Sequence, residues 1–142
     1  MNKAHLTAIS RNKISAPMQY LGERGLIKGK ALDYGCGKSF DASYFNMDKY
    51  DPYFNPVPLF PNTYDTVTCN YVLNVIKNQA EAKRALTVIR SVLKPKGKAY
   101  ITVRRDKFTE GYSSKGTYQT YVHLDLPIVK ETSNYCIYEL NK

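Results

Sequence analysis

The segment with most chemical content is Asp33-Tyr-Gly35-Cys-Gly37-Lys-Ser39. A short apolar run, Lys30 to Tyr34, leads into it, and Phe40 to Phe45 behind it can open a helix capped by Ser39 or Asp41. That pattern is a buried strand running into a glycine turn. Glycines there tolerate positive φ and let a ligand come close to the backbone. The next acid at a strand end is Asp51, 18 residues after Asp33. This is close to the roughly 20-residue offset at which a carboxylate meets ribose hydroxyls. A carboxylate suits a diol because it can accept from both hydroxyls at once.

The turn discriminates among nucleotide-like ligands. A dinucleotide site wants GxGxxG, and the sixth position here is Phe40. Asp33 would repel a pyrophosphate but attract an ammonium group. An acid-Gly-x-Gly turn plus a ribose acid fits a cationic, adenosine-bearing ligand with an amino-acid end, which describes S-adenosylmethionine. The plainer alternative is an ordinary strand-to-helix turn with a surface acid. Asp51-Pro-Tyr-Phe54 also approaches the Asp/Asn-Pro-Pro-aromatic motif of amino-methylating enzymes, but it lacks the second proline.

The elements that must position these residues can be read coarsely. Met18 to Ile27 predicts a short helix closed near Gly25 to Gly29. Asp48 to Asp51 is at most a brief strand. Pro52, Pro56, Pro58 and Pro61 make the following segment, to Asn62, a rigid extended crossing. Asp65 to Tyr71 reads as a second buried strand. Ala82, Ala85, Leu86, Ile89 and Leu93 keep helical spacing and stop at Lys94-Pro-Lys-Gly97. Lys98 to Val103 is a third strand, and Gly111 to Gly116 a flexible loop. Thr117 to Val122 and Tyr135 to Leu140 predict antiparallel strands at the end. The expected architecture is a single α/β domain over residues 1–142 with a mostly parallel sheet. It comprises an arm and helix (1–29), a ligand-binding core (30–105), and a loop with terminal strands (106–142).

Composition removes several classes. The 142 residues are 43% hydrophobic and 23% charged, which argues against disorder. No apolar window is long enough to span a membrane, and the first residues lack a secretory signal, so a cytoplasmic location is expected. Cys36, Cys69 and Cys136 are far apart with only His5 and His123 in the chain, so neither a disulfide framework nor a structural metal is expected. Lys and Arg number 21 against 12 Asp and Glu, a formal net charge of +9. All the excess lies in two segments, residues 1–30 and 94–115, each with a net +5.

Leu32-Asp-Tyr-Gly-Cys-Gly37, Tyr64-Asp-Thr-Val67, Tyr71-Val-Leu-Asn-Val-Ile76 and Leu93-Lys-Pro-Lys-Gly97 together resemble successive landmarks of class I S-adenosylmethionine-dependent methyltransferases. Thr7-Ala-Ile-Ser-Arg11 with Ser15 and Pro17, then Asp51-Pro-Tyr53 and Val72 to Ile76, narrow the resemblance. The chain is similar to methyltransferases associated with DNA phosphorothioation loci and to their small bacterial or phage relatives. The resemblance implies a compact Rossmann-like sheet, S-adenosylmethionine as donor, and a donor loop of Asp33, Tyr34, Gly35, Cys36 and Gly37. It further implies a ribose acid at Asp51 beside Pro52, and a meeting point of donor and acceptor at Asn70, Tyr71 and Val72.

Three departures qualify that expectation. Ser39 stands where a glycine usually ends the loop, a mild change. Only 13 residues separate Asp51 from Asp65, too few for the usual helix and third strand with its adenine-contacting acid. The adenine pocket is then expected from Pro52, Tyr53 and the proline-rich crossing. Asn70-Tyr71-Val72 is not the motif of adenine-N6 or cytosine-N4 methylation, and no Pro-Cys nucleophile is present.

Methyl transfer from a sulfonium needs alignment more than a catalytic triad. Tyr71, Asn74 and Arg11 are the candidates near the reacting methyl, with His123 a further one; Asn74 could instead cap the next helix. The family fold places both basic segments on the carboxyl-edge side, flanking one cleft with Tyr20, Tyr112, Tyr118 and Tyr121. Such a rim suits DNA or RNA, and in so short a chain sequence-specific reading would need a protein partner.

Overall fold

The computed structural model describes residues 13–106, 111–112 and 118–142. Arg11 and the Thr7–Arg11 block lie outside the described residues. Six strands form one sheet in the order β2-β1-β3-β4-β8-β7. Its parallel part comprises β1 (Ala31–Tyr34), β2 (Asp48–Tyr50), β3 (Tyr64–Asn70) and β4 (Leu93–Arg104). β8 (Tyr135–Asn141) runs antiparallel to β4, and β7 (Ile128–Glu131) antiparallel to β8. β5 (Gly111–Tyr112) and β6 (Tyr118–Gln119) form a separate two-stranded hairpin. The mostly parallel α/β sheet with antiparallel strands at its C-terminal side is therefore observed.

Alternation along the strands fills a core on each face. Leu32, Val67, Cys69, Ala99, Ile101, Val103, Cys136 and Tyr138 share one face with Ile89 and Val92 of helix α3 (Gln79–Val92). Ala31, Tyr100, Tyr135 and Ile137 share the other with Met18 and Leu21 of helix α1 (Ala16–Glu23) and Ala42 of helix α2 (Phe40–Tyr44). α1 starts with Pro17 in its first turn, where the missing N–H is harmless. It ends earlier than the sequence predicts because Gly25 takes φ +67 and the Leu26 N–H returns to the Leu21 carbonyl at 3.0 Å. No helix among the described residues is long and apolar enough to cross a membrane.

One expectation about the C-terminal half needs correction. Among the described residues of the predicted 117–122 strand, Tyr118 and Gln119 pair, and they pair with β5 rather than with the main sheet; Thr117 lies outside the described residues. Tertiary bonds take the rest: Thr120 N–H goes to the Asn74 carbonyl and the Val122 carbonyl to Arg105. β7, which the sequence pattern does not announce, is the sheet edge there. The short crossing is as expected: no helix or strand lies between β2 and β3, and β2 is the opposite edge.

Candidate active site

At the carboxyl ends of β1, β3 and β4 lies a cavity of about 620 Å³. Its walls include Asp33, Gly35, Cys36, Gly37, Asp51, Pro52, Asn70, Tyr71, Val72 and Asn74. Nine of the ten donor-binding candidates and two of the three catalytic ones are thus brought to one place. Tyr34 is the exception: its ring stacks on Tyr50 at 5.0 Å, and the residue is not a wall of the cavity. His123 is exposed and outside the cavity.

Asp33 is 4% exposed, with Thr68 Oγ1 donating to its Oδ1 at 2.9 Å. Burial pushes its carboxyl up to about 7, against the Thr68 bond and helped by the charges of Asp41 and Asp51. A cation entering beside it would restore the ionised form. The turn behind it is fixed by the Gly35 and Cys36 N–H groups, both donating to the Tyr50 carbonyl at 2.7 and 3.0 Å. Gly35 has φ +80, and a Cβ there would run into Val72 Cγ2, so glycine is required twice over.

Ser39 is more than a mild change from glycine. It holds φ +74 as a non-glycine residue, a conformation that costs about 1–2 kcal/mol. Its Oγ gains a bond from Asn55 Nδ2 at 3.1 Å, which partly offsets that strain.

Asp51 differs most from the sequence reading. Its Oδ1 accepts from the Tyr53 and Phe54 N–H groups at 2.8 and 3.0 Å, and its Oδ2 from Gly37 N–H at 2.9 Å. Three of about four lone-pair directions are used by the backbone. The carboxylate therefore ties the glycine turn to the 51–55 bend and keeps one acceptor direction for a ligand, not a bidentate pair. Pro52 lines the cavity, whereas Tyr53 is 60% exposed and the remainder of the proline-rich crossing is not among its walls.

The other end of the cavity is set by the residues after β3. Tyr71 takes φ +61 while its N–H donates to the Thr102 carbonyl at 2.8 Å. Asn74 does not cap α3; Asn78 does, accepting from Ala80 and Glu81 N–H. Walls that the sequence reading did not single out include Ser15, Arg104, Asp106 and Gln119. Ser15, the N-cap of α1, is fastened to Asp41 by two bonds of 2.8 Å. Its place in the Ser15/Pro17 block was a usable signal.

Of the described cations in the two basic segments, Arg104 lines the cavity and the lysines do not. Lys28, Lys30, Lys94, Lys96 and Lys98 precede or open β1 and β4 and so lie at the amino edge of the sheet. Lys30 N–H and Lys94 Nζ both reach Asp65 Oδ2 there. From Lys98 to Arg104 β4 runs about 20 Å. At the carboxyl edge Arg104 is paired with Asp106, and Arg105 is buried, bonded to Glu131, Val122 and Tyr138. Several of the tyrosines are engaged by cations of the chain itself: Tyr20 by Arg24 and Lys130, Tyr112 by Lys77, Tyr121 by Arg105. Among the described residues, then, the cations of the two basic segments fall at both edges of the sheet rather than along one rim; Lys3, Arg11, Lys107 and Lys115 lie outside the described residues.

Comparison with known proteins agrees with this geometry. A family model described as "Methyltransferase domain" matches residues 7–125. Among solved structures, the Burkholderia thailandensis 1,6-didemethyltoxoflavin-N1-methyltransferase, holding its substrate and S-adenosylhomocysteine, is 14% identical. That match covers 99% of this chain and 79% of that one, with a TM-score of 0.66. A protein of echinomycin biosynthesis, from work on converting a disulfide bond into a thioacetal group, is 15% identical over 89% of this chain and 82% of that one, TM-score 0.62. A SAM-dependent methyltransferase from Aquifex aeolicus is 16% identical over 87% and 88%, TM-score 0.58. No curated protein sequence matches the chain. The chain belongs to the methyltransferase domain family, an enzyme with the Rossmann-like fold of methyltransferases that use S-adenosylmethionine.

Proposed function

We propose that this enzyme moves the methyl group of S-adenosylmethionine to a free small-molecule acceptor. The observation that carries the reading is one continuous cavity with Asp33 and Asp51 among its walls together with Tyr71, Asn74 and Arg104. Its volume falls within the range of small-molecule sites. Asp33 pairs with the donor's ammonium group, the backbone of Gly35 to Gly37 lies against the ligand, and Asp51 accepts one ribose hydroxyl. Pro52 and Val75 offer apolar surface to the adenine, in place of the acid a third strand would bring. Asn70, Tyr71 and Val72 flank the reacting centre.

When bound, the donor supplies an activated methyl group with its own leaving group. The chain's part is alignment and exclusion of water, and Val72 and Val75 help keep that wall apolar. Tyr71 and Asn74 orient the acceptor. A base is needed only for an acceptor that must lose a proton.

Within the family we read the chain as a relative of the phosphorothioation-associated methyltransferases. Two of the blocks that carry that reading, Asp51-Pro52 and Val72 to Val75, contribute cavity walls, which supports it. The described lysines 28, 30, 94, 96 and 98, at the amino edge away from the cavity, favour a small acceptor over a polymer.

The test is incubation with methyl-labelled donor and, separately, DNA, RNA, protein and a dialysable metabolite fraction. Label is expected in the metabolite fraction with formation of S-adenosylhomocysteine. Label in a polymer would overturn the acceptor class, and no label anywhere would overturn the reading of methyl transfer to a free small molecule.

A further inference from the structure

Asn74 stands in the 3-10 turn Leu73–Val75 after β3 and is 1% exposed. Its carbonyl accepts from Thr120 N–H at 2.8 Å, and its Nδ2 donates to Gln119 Oε1 at 3.1 Å. Its Oδ1 is buried with no hydrogen-bond partner. Asn70, at the end of β3, has both Nδ2 and Oδ1 buried and without a partner. Asn70, Asn74 and Gln119 all line the cavity. An unpaired buried polar group costs about 1–3 kcal/mol, and native proteins hold few of them. Three such atoms on two residues of one cavity point to a molecule that enters and satisfies them.

The pattern these amides offer is specific. The Asn74–Gln119 bond consumes one donor and one acceptor, leaving Asn74 Oδ1 as acceptor and Gln119 Nε2 as donor. Oxygen and nitrogen of an amide are assigned from the bonds they make. Turning both amides over preserves their mutual bond and exchanges which residue offers the donor. Either setting presents one donor beside one acceptor. None of the three side chains is charged, and the nearby Arg104 guanidinium is held by Asp106 through bonds of 2.8 and 2.9 Å.

We propose that Asn70, Asn74 and Gln119 form the acceptor subsite, and that it takes an uncharged planar group with an N–H beside a C=O, as in a lactam or a cyclic imide. This rests on reading the cavity as a methyltransferase site and adds the class of its substrate. The subsite is assembled where β6 docks on the 3-10 turn, so Gln119 is its specificity-setting member: the other two come from the end of β3 and the turn directly after it.

The experiment follows the side-chain amide signals of the whole protein by NMR during titration with 2-pyridone, with and without saturating S-adenosylhomocysteine. N-methyl-2-pyridone, which lacks the donor, and benzoate, which is anionic, serve as controls. Expected is saturable binding of 2-pyridone, with both controls weaker by about tenfold or more. Gln119→Leu and Gln119→Glu should each weaken 2-pyridone about tenfold while S-adenosylhomocysteine binds as before. Equal binding of the N-methyl compound, stronger binding of benzoate, no binding of 2-pyridone, or indifference to both Gln119 variants would overturn the proposal. Because S-adenosylhomocysteine is titrated separately, failure of the donor site registers independently of failure of this subsite.

Discussion

Asp33→Asn should make this protein more stable and less able to bind its donor, and the size of both effects follows from the burial of one carboxyl. Asp33 is 4% exposed, receives one side-chain bond, from Thr68, and feels the charges of Asp41 and Asp51, so its carboxyl is raised from 3.8 to about 7. A shift of about three units at about 1.4 kcal/mol each amounts to about 4 kcal/mol. Below pH 4 the group is protonated in both folded and unfolded chains and costs nothing. Between pH 4 and 7 only the unfolded chain loses the proton, so native stability falls as pH rises. Above pH 7 the full penalty remains. Asparagine cannot ionise, yet its Oδ1 can still accept from Thr68. Urea denaturation should find the variant more stable than the parent by about 4 kcal/mol at pH 8, with the gap closing towards pH 4. S-adenosylhomocysteine should bind the variant about a hundredfold more weakly, since an ammonium loses its ionised partner. For the parent, its affinity should climb about tenfold per pH unit up to about 7 and then level off. A variant that is no more stable at pH 8 would refute the desolvation argument. Unchanged binding would refute the pairing of Asp33 with the ammonium group.

Two further substitutions test the loop proposed to hold the donor. Asp51→Ala strips an acceptor from the Gly37, Tyr53 and Phe54 N–H groups; calorimetry should show donor affinity and fold stability falling together, each by about 1–3 kcal/mol. A loss of affinity with unchanged stability would assign Asp51 to the ribose alone. Gly35→Ala forces φ +80 on a β-carbon and drives it into Val72 Cγ2. Chemical denaturation should show a loss of about 2 kcal/mol or more, of which Val72→Ala restores the steric part but leaves the strain of about 1 kcal/mol.

The parts of the fold legible in the sequence are those whose cause is local. Lys30 to Tyr34 and Asp65 to Tyr71 read as strands because both are buried on two faces, and the glycine turn reads as a turn because only glycine fits above Val72. β7 was not legible: Ile128-Val-Lys-Glu is a short edge strand, exposed at both ends, with no periodic signal. The 117–122 segment has the composition of a strand but is claimed by distant groups, Asn74 at Thr120 and Arg105 at Val122, and no pattern within the segment reveals that competition. The charge distribution carried a usable signal. Lysines immediately before a parallel strand must lie at the amino edge, away from a ligand at the carboxyl edge, and Lys30 with Lys94 to Lys98 are of that kind.

The short crossing and the unexpected bonding of Asp51 have a common cause. In a wider sheet a further strand beside β2 would brace the segment that follows it through a backbone ladder. Here β2 has three residues and is the edge of the sheet, and the chain beyond it folds back on itself through a bridge between Asp51 and Asn55. Two side chains replace the ladder. Asp51 takes three backbone N–H groups, one of them from the donor turn, and Asn55 Nδ2 reaches Ser39 Oγ and Cys36 Sγ on the far side of that turn. A carboxylate that serves as a brace has little left for a diol, so on the proposed reading a ribose would meet one remaining lone-pair direction and the pocket around it. The sequence therefore draws attention to an acid at position 51 that does line the cavity, while the reason the fold needs an acid there is largely the strand it lacks.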